Sequence, residues 1–259
     1  MILHYPSRFS NLTSLDRAVI LGASRGFGAA LVRHICSQRF PVTGFGRKEA
    51  PLAALKEENP LFDFRVADFS QRAGQDETLR YLAQENFNKV IYVAGGGPYG
   101  PFQEQSWKSH LWSFEVTFQF AARVTHLLLS ERAQTQMILI GSSVAESLGD
   151  PQAASYCAAK HAINGFTDSL RGELIHDGSD VQITSVHMPA MNTTQFNWVK
   201  NRLPNNPQPV PMPFSFSVSN TSYAAVGQLV AALQQSIRPI QIDTLGLSGA
   251  ASNMALCAS

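Results

Sequence analysis

Short apolar runs recur along the chain, and stretches of helical period separate most of them. The runs are AVILG (18–22), FPVTGFG (40–46), FDFRVAD (62–68), KVIYVAG (89–95), MILIGSS (137–143), VQITSVH (181–187) and IQIDTLGL (240–247). Several of them are almost continuously apolar, as strands buried on both faces must be. Strands that alternate with amphipathic helices predict an α/β fold, doubly wound, with about seven parallel strands and helices on both faces.

Two segments stand outside this alternation. Residues 1–17 precede the first strand and are predicted to be an N-terminal extension to a single domain over residues 18–259. Residues 192–217 contain five prolines, which exclude an ordinary helix. A loop of this length is typically a lid, a binding loop or disordered, and we interpret it as a substrate lid.

Aromatic residues in the predicted lid are candidate substrate contacts. They are Phe196, Trp198 and Phe214. They favour an apolar or aromatic substrate, but the same side chains would equally serve to pack the lid onto the domain. The sequence leaves both alternatives open and names no molecule.

Composition and charge limit the possible partners. A length of 259 residues suits one large α/β domain, and a net charge of +1 argues against nucleic acid or an acidic membrane as a partner. No apolar run approaches the ~18 residues needed to span a membrane. The N-terminus, MILHYPSRFS, does not resemble a signal peptide, so we expect a cytoplasmic protein.

Neither a disulfide framework nor a metal site is predicted. The three cysteines, Cys36, Cys157 and Cys257, have no CxxC spacing and are odd in number. The seven histidines are scattered without the spacing of paired ligands.

A glycine-rich turn follows the first strand, where AVILGASRGFG places Gly22, Gly26 and Gly28. The spacing is not GxGxxG, but the physical requirement is the same. Glycines let the backbone turn tightly and approach a pyrophosphate, whose charge lies at the N-terminus of the next helix. Alone, three glycines would be only a turn. The apolar strand before them and the amphipathic helix after them favour a Rossmann-like dinucleotide site that includes Ser24, Arg25 and Phe27.

The end of the second strand indicates which nucleotide binds. A site for NAD usually has an acidic residue there, whereas this chain has GFGRKEA, with Arg47 and Lys48. Together with Arg25, Arg47 favours a 2′-phosphate and therefore NADP(H). Lys48 is interpreted as a solvated charge. Asp68 ends the third strand and is placed to accept from the adenine amine, although it would equally cap the helix that follows.

Tyr156 and Lys160 lie four residues apart in SYCAAKHAING, which places both side chains on one helix face. A free phenol has a pKa near 10. A neighbouring ammonium and an oxidised nicotinamide ring favour the phenolate, which suits the phenol to proton transfer near neutral pH. Ser143, thirteen residues before the tyrosine, could hydrogen-bond the same substrate oxygen.

These motifs together resemble the short-chain dehydrogenase/reductase family over about residues 18–247. GASRGFG is similar to the family's TGxxxGxG cofactor loop, and GSSVAESLGDPQAASYCAAKHAINGFTDSLRGEL to its catalytic serine segment and YxxxK helix. HMPAMNTT is similar to the PGxxxT segment. The resemblance implies an oxidoreductase that interconverts a carbonyl and a secondary alcohol.

The resemblance also implies roles for individual residues. Tyr156 would be the acid/base, Lys160 would bind the nicotinamide ribose and Ser143 would orient the carbonyl. The nicotinamide end would be held by Pro189 and Thr194. Family members associate through helices that match residues 105–130 and 154–176 here, which implies a homodimer or homotetramer.

Two positions depart from the family pattern. NNAG after the fourth strand reads YVAG, which keeps Ala94 and Gly95 for passage beside the adenine ribose but loses both asparagines. The family's catalytic asparagine aligns with Glu115, so we hypothesise that Glu115 lies near Lys160, as its ion-pair partner or as a proton relay. A shift of the alignment by one turn would give that place to Gln119. A cofactor-binding regulator of the same fold is the alternative function.

Overall fold

The computed structural model of this chain describes residues 17–131, 135–142 and 151–187. In these residues six strands form one parallel sheet in the order β3-β2-β1-β4-β5-β6. The strands are β1 (Ala18–Leu21), β2 (Val42–Gly46), β3 (Phe62–Val66), β4 (Lys89–Tyr92), β5 (Gln136–Ile140) and β6 (Gln182–Val186). The predicted doubly wound α/β fold is confirmed, and the predicted seventh strand at 240–247 lies outside the described residues.

Helices connect the strands, as the alternation of sequence patterns predicts. They are α1 (Gly26–Ser37), α2 (Glu49–Glu58), α3 (Arg72–Gln84), α4 (Trp107–Phe114), α5 (Phe120–Glu131) and α6 (Ala154–His176). A short 3₁₀ turn (Phe102–Glu104) precedes α4, and a π-helical turn (Glu115–Gln119) joins α4 to α5. The described helices contain none that is long and apolar enough to cross a membrane.

Side chains of the strands alternate between two apolar cores, one on each face of the sheet. In β1, Ile20 points into the core shared with α1 and α2, while Val19 and Leu21 point into the core shared with α3, α5 and α6. All three side chains are fully buried. Burial on both faces explains why β1 is continuously apolar in sequence. The two cores fix the carboxyl ends of the strands at a common edge.

Candidate active site

The carboxyl edge of the sheet carries the glycine turn that the sequence predicts. Gly22 follows β1 with φ at +105°, and a Cβ placed on it would lie 2.6 Å from the backbone nitrogen of Ala94. A Cβ on Gly28 would lie 2.0 Å from the carbonyl oxygen of Gly22. Only glycine fits either position, so the turn is packed backbone against backbone at the N-terminus of α1. This geometry suits the close approach of a pyrophosphate.

Cationic side chains flank this turn. Arg25 directly precedes α1, whose first turn has no acidic residue, and Arg47 directly follows β2. A Cβ on Gly46 would lie 2.9 Å from the Cβ of Ser24, so the residues that precede the two arginines are in contact. Both arginines are exposed, as is Lys48. This corner of the site therefore presents exposed cations beside the glycine turn.

Asp68 has a partner within its own turn. Its Oδ1 accepts hydrogen bonds from the backbone nitrogen of Ser70, at 2.9 Å, and from the Ser70 hydroxyl, at 2.8 Å. Asp68 therefore orders the turn that leads into α3, and its contact with the adenine amine stays a prediction.

The loop after β4 is held by hydroxyl groups from α4 and the π-helical turn. Ser113 donates to the carbonyl of Gly96 at 2.7 Å, and Thr117 bonds both backbone groups of Gly96 at 3.1 Å. Tyr92, which stands where the family has asparagine, donates its hydroxyl to the carbonyl of Val116 at 2.5 Å. Burial, reinforced by the charge of Glu115, raises the pKa of Tyr92 well above its usual range, so this donor stays protonated.

Tyr156 and Lys160 lie together on α6, as the four-residue spacing predicts. The Nζ of Lys160 is 5.8 Å from the centre of the Tyr156 ring. Tyr156 is half-buried, whereas Lys160 is only 5% exposed. Tyr156 therefore keeps some exposed surface, while the ammonium of Lys160 is buried over its ring.

Lys160 spans the distance between α6 and the sheet. Its ammonium donates to the carbonyl of Ile140, the last residue of β5, at 2.6 Å. Burial lowers the pKa of Lys160 to about 8, so the side chain is still mostly charged at pH 7. A positive charge in this position stabilises a nearby phenolate.

Glu115 forms no ion pair with Lys160, so the ion-pair form of the hypothesis drawn from the alignment is wrong, while a role as a proton relay stays a prediction. Its carboxylate accepts a hydrogen bond from the Nε2 of Gln75 on α3, and no ion pair in the described residues includes it. The reason is the packing of α3 against the segment after α4, which offers a neutral amide donor. Gln119, the alternative from a shifted alignment, is exposed.

A buried histidine supports the N-terminal turn of α6. The Nδ1 of His110 is 2.7 Å from the Ser155 hydroxyl, and its Nε2 is 3.1 Å from the carbonyl of Phe102. Because a carbonyl only accepts, Nε2 carries a proton, and neutral His110 then accepts from Ser155 at Nδ1. His110 and Ser155 are each 4% exposed. The residue next to Tyr156 in sequence is thus fixed to α4.

An aromatic wall adjoins Tyr156. The ring of Tyr99 lies 6.0 Å from that of Tyr156, and the backbone nitrogen of Gly100 donates to the carbonyl of Gln152 at 2.9 Å. A Cβ on Gly97 would lie 2.7 Å from the Cβ of Tyr156. The loop after β4 is therefore packed directly against the start of α6.

Several predicted site residues lie outside the described residues. They are Ser143, Pro189, Thr194, Phe196, Trp198 and Phe214. Further residues beside the predicted ones were not identified from the sequence, namely Gln75, His110, Trp112, Ser113, Thr117 and Ser155. Most of these are polar side chains buried between elements distant in sequence. The local signals were that Trp112, Ser113 and Thr117 lie within three residues of Glu115, and that Ser155 precedes Tyr156. Tyr99 belongs to the stretch GGGPYGPF (95–102), which on sequence grounds could line the substrate cleft.

The fold and the motifs have the same counterpart among known proteins. The family model described as short chain dehydrogenase matches residues 16–203. The chain therefore belongs to the short-chain dehydrogenase family, whose members are oxidoreductases that bind nicotinamide cofactors.

Characterised relatives are distant in sequence. The chain is 25% identical over 241 residues to NADPH-dependent 3-dehydrocapnine reductase of Ornithobacterium rhinotracheale, covering 89% of this chain and 78% of that protein. It is 28% identical over 197 residues to 7beta-hydroxysteroid dehydrogenase of Mediterraneibacter gnavus, covering 73% of each.

Solved structures support the fold. A short-chain dehydrogenase from Sphingobium yanoikuyae in complex with NADPH is similar with a TM-score of 0.70 and 19% identity, covering 84% of this chain and 85% of that one. A variant of actinorhodin polyketide ketoreductase with NADPH has a TM-score of 0.70 and 18% identity, covering 88% of this chain and 94% of that one.

Proposed function

We propose that this protein is an NADP(H)-dependent oxidoreductase that interconverts a carbonyl and a secondary alcohol on a small molecule. The observation that carries the proposal is the half-buried Tyr156 with the buried ammonium of Lys160 behind it, 5.8 Å from the ring centre. A proton donor beside a fixed positive charge is the arrangement that carbonyl reduction needs.

Tyr156 is the acid/base in this proposal. It gives its proton to the carbonyl oxygen during reduction and takes a proton from the alcohol during oxidation. Lys160 stabilises the phenolate that remains, and it stays charged at pH 7 because its pKa is about 8. Ser143, Pro189 and Thr194 keep the roles that the family resemblance implies. Bound NADP(H) supplies or accepts the hydride.

The residues at the glycine turn fit a dinucleotide. Gly22 and Gly28 leave no room for a side chain, and Gly22 lies against Ala94, beside the predicted ribose passage at Gly95. Arg25 and Arg47 favour the 2′-phosphate of NADP(H), and the similarity to the NADPH-dependent reductase of Ornithobacterium rhinotracheale supports the same choice.

An aromatic or apolar substrate would suit the wall beside Tyr156. Tyr99 supplies aromatic surface next to the phenol, and the predicted lid at 192–217 holds further aromatic residues.

We further propose that the protein is cytoplasmic, that it forms a homodimer or a homotetramer, and that residues 18–259 form a single domain.

Replacement of Tyr156 by Phe tests the proposal. The ring and its packing remain, so NADPH binding, followed by nicotinamide fluorescence, should stay within about twofold. Reduction of the most active compound from a carbonyl panel, followed as NADPH oxidation, should fall by about 100-fold or more. Turnover that survives Tyr156→Phe would contradict the assignment of the acid/base.

A cofactor-binding regulator is the second candidate. The observation that favours it is Glu115, which stands where the family has a catalytic asparagine and is bound to Gln75. A regulator would bind NADPH and turn over no carbonyl in the panel, and Tyr156→Phe would then change nothing measurable.

A further inference from the structure

Arg47 lies over the indole ring of Trp112. The guanidinium carbon is 5.6 Å from the centroid of that ring, within the range of a cation–π contact. Arg47 is exposed, and none of the ion pairs among the described residues includes it. Among the described residues, the indole ring is thus the recorded contact of this guanidinium.

The contact joins segments that follow strands on opposite sides of β1. Arg47 follows β2, whereas Trp112 belongs to α4, which follows β4 on the far side of β1. Trp112 is partly buried against the core that contains Phe45 and Phe120, so the indole has a fixed base. Helix α4, which follows β4, thereby contacts a charged residue that follows β2.

A stacked guanidinium keeps its hydrogen-bonding capacity. Its five N–H donors lie in the plane of the group, and an aromatic ring takes only one face. The edge of Arg47 therefore remains available for the oxygens of a phosphate, with which arginine forms paired hydrogen bonds. The indole also reduces the number of rotamers that Arg47 would lose on binding, which favours affinity.

The position of Arg47 indicates which phosphate it would meet. Gly46, the preceding residue, is packed against Ser24 of the glycine turn, and Arg25 follows Ser24. The two arginines thus start from neighbouring backbone positions at the carboxyl edge of the sheet, which is where open α/β sheets bind nucleotides.

We propose that Trp112 is a specificity-determining residue, which holds Arg47 in place for the 2′-phosphate of the cofactor. The inference rests on the proposed function, since it presupposes that Arg47 recognises NADP(H). Trp112 is then a positioning residue, because it acts on the phosphate through Arg47.

Two nucleotide probes without nicotinamide test this role. Adenosine 2′,5′-bisphosphate carries the 2′-phosphate, and adenosine 5′-monophosphate lacks it. In calorimetric titrations, Trp112→Leu should weaken binding of the bisphosphate about threefold to fivefold and change binding of the monophosphate less than twofold. Trp112→Phe keeps an aromatic face and should retain part of the affinity for the bisphosphate. This variant also tests the role of the ring if the leucine variant folds poorly.

Trp107 provides the matched control. It lies on α4, is 66% exposed and has no contact with Arg47 among those described, so Trp107→Leu should leave both affinities unchanged. In an Arg47→Met background, Trp112→Leu should cost the bisphosphate nothing further. If Trp112→Leu weakened the affinity for both nucleotides equally, or weakened the affinity for the bisphosphate by the same factor in the Arg47→Met background, the role of Trp112 would be overturned.

The outcomes separate this inference from the proposed function. A wild-type protein that binds both probes equally would contradict NADP(H) preference, and the inference with it. A wild-type protein that prefers the bisphosphate, combined with an unaffected Trp112→Leu variant, would overturn the inference alone.

Discussion

The nucleotide half of the carboxyl edge, which follows β1 to β3, differs in construction from the reactive half, which follows β4 to β6. In the first half, backbone atoms close the Cβ positions of Gly28 and Gly22, at 2.0 Å and 2.6 Å, and the arginines are exposed. In the second half the constraints are buried polar side chains, with Lys160 at 5% and His110 at 4% exposure. Added atoms should therefore reduce stability and NADPH affinity in the first half, whereas removal of polar groups should change stability and turnover in the second.

The largest expected effect is that of one added methyl group in the nucleotide half. The Cβ of Gly28→Ala would meet the carbonyl oxygen of Gly22 at 2.0 Å, and all three of its nearest atoms belong to the backbone. Since backbone cannot rotate away, we expect a loss of about 3 kcal/mol in the free energy of unfolding. NADPH affinity should fall at least tenfold, and denaturant titration and fluorescence measure the two quantities.

Gly172→Ala is the matched control for that change. Gly172 lies in α6, is exposed, and a Cβ there would have no atom within 4 Å. Alanine should stabilise the helix by about 0.5–1 kcal/mol and leave NADPH affinity alone. If Gly28→Ala behaved like this control, backbone packing would not be the constraint in the nucleotide half.

The next effect has the opposite sign, because the reactive half contains a charge that is costly to bury. Burial lowers the pKa of Lys160 from 10.5 to about 8. That change corresponds to about 3 kcal/mol, and the hydrogen bond to Ile140 offsets about 1 kcal/mol of it when methionine replaces the lysine. Lys160→Met should therefore stabilise the fold by about 2 kcal/mol at pH 7, while it removes turnover.

The difference in unfolding free energy between the wild type and Lys160→Met should depend on pH. Below pH 8 the lysine is charged in both the folded and the unfolded chain, so the full penalty acts on the wild type. Between pH 8 and 10.5 the unfolded chain binds more protons, and the wild type gains stability relative to Lys160→Met. The advantage of the variant should therefore vanish at about pH 9.5, and near pH 10.5 the wild type should be more stable by about 1 kcal/mol. A difference in unfolding free energy that does not depend on pH would contradict a buried, charged Lys160.

The sequence predicted what depends on local spacing. The strand pattern and the shared face of Tyr156 and Lys160 follow from the period of a strand or a helix, and the glycine turn after β1 follows from the conformational freedom of glycine. It did not predict contacts between distant segments. Glu115 was expected beside Lys160, but its partner Gln75 lies 40 residues away in sequence. Such a contact depends on how α3 packs, which no local pattern encodes.

The smallest predicted effect concerns the hydrogen bond between His110 and Ser155, which joins two buried groups 45 residues apart. Ser155→Ala removes one hydroxyl and leaves Nδ1 of His110 without its donor, which should cost about 1–2 kcal/mol of unfolding free energy. In the double variant with His110→Phe, the two losses should be less than additive by about 1 kcal/mol. Since Ser155 precedes Tyr156, kcat should fall in each single variant while NADPH affinity holds. Additive losses, or a fall in NADPH affinity without a change in kcat, would show that polar contacts in the reactive half do not position Tyr156.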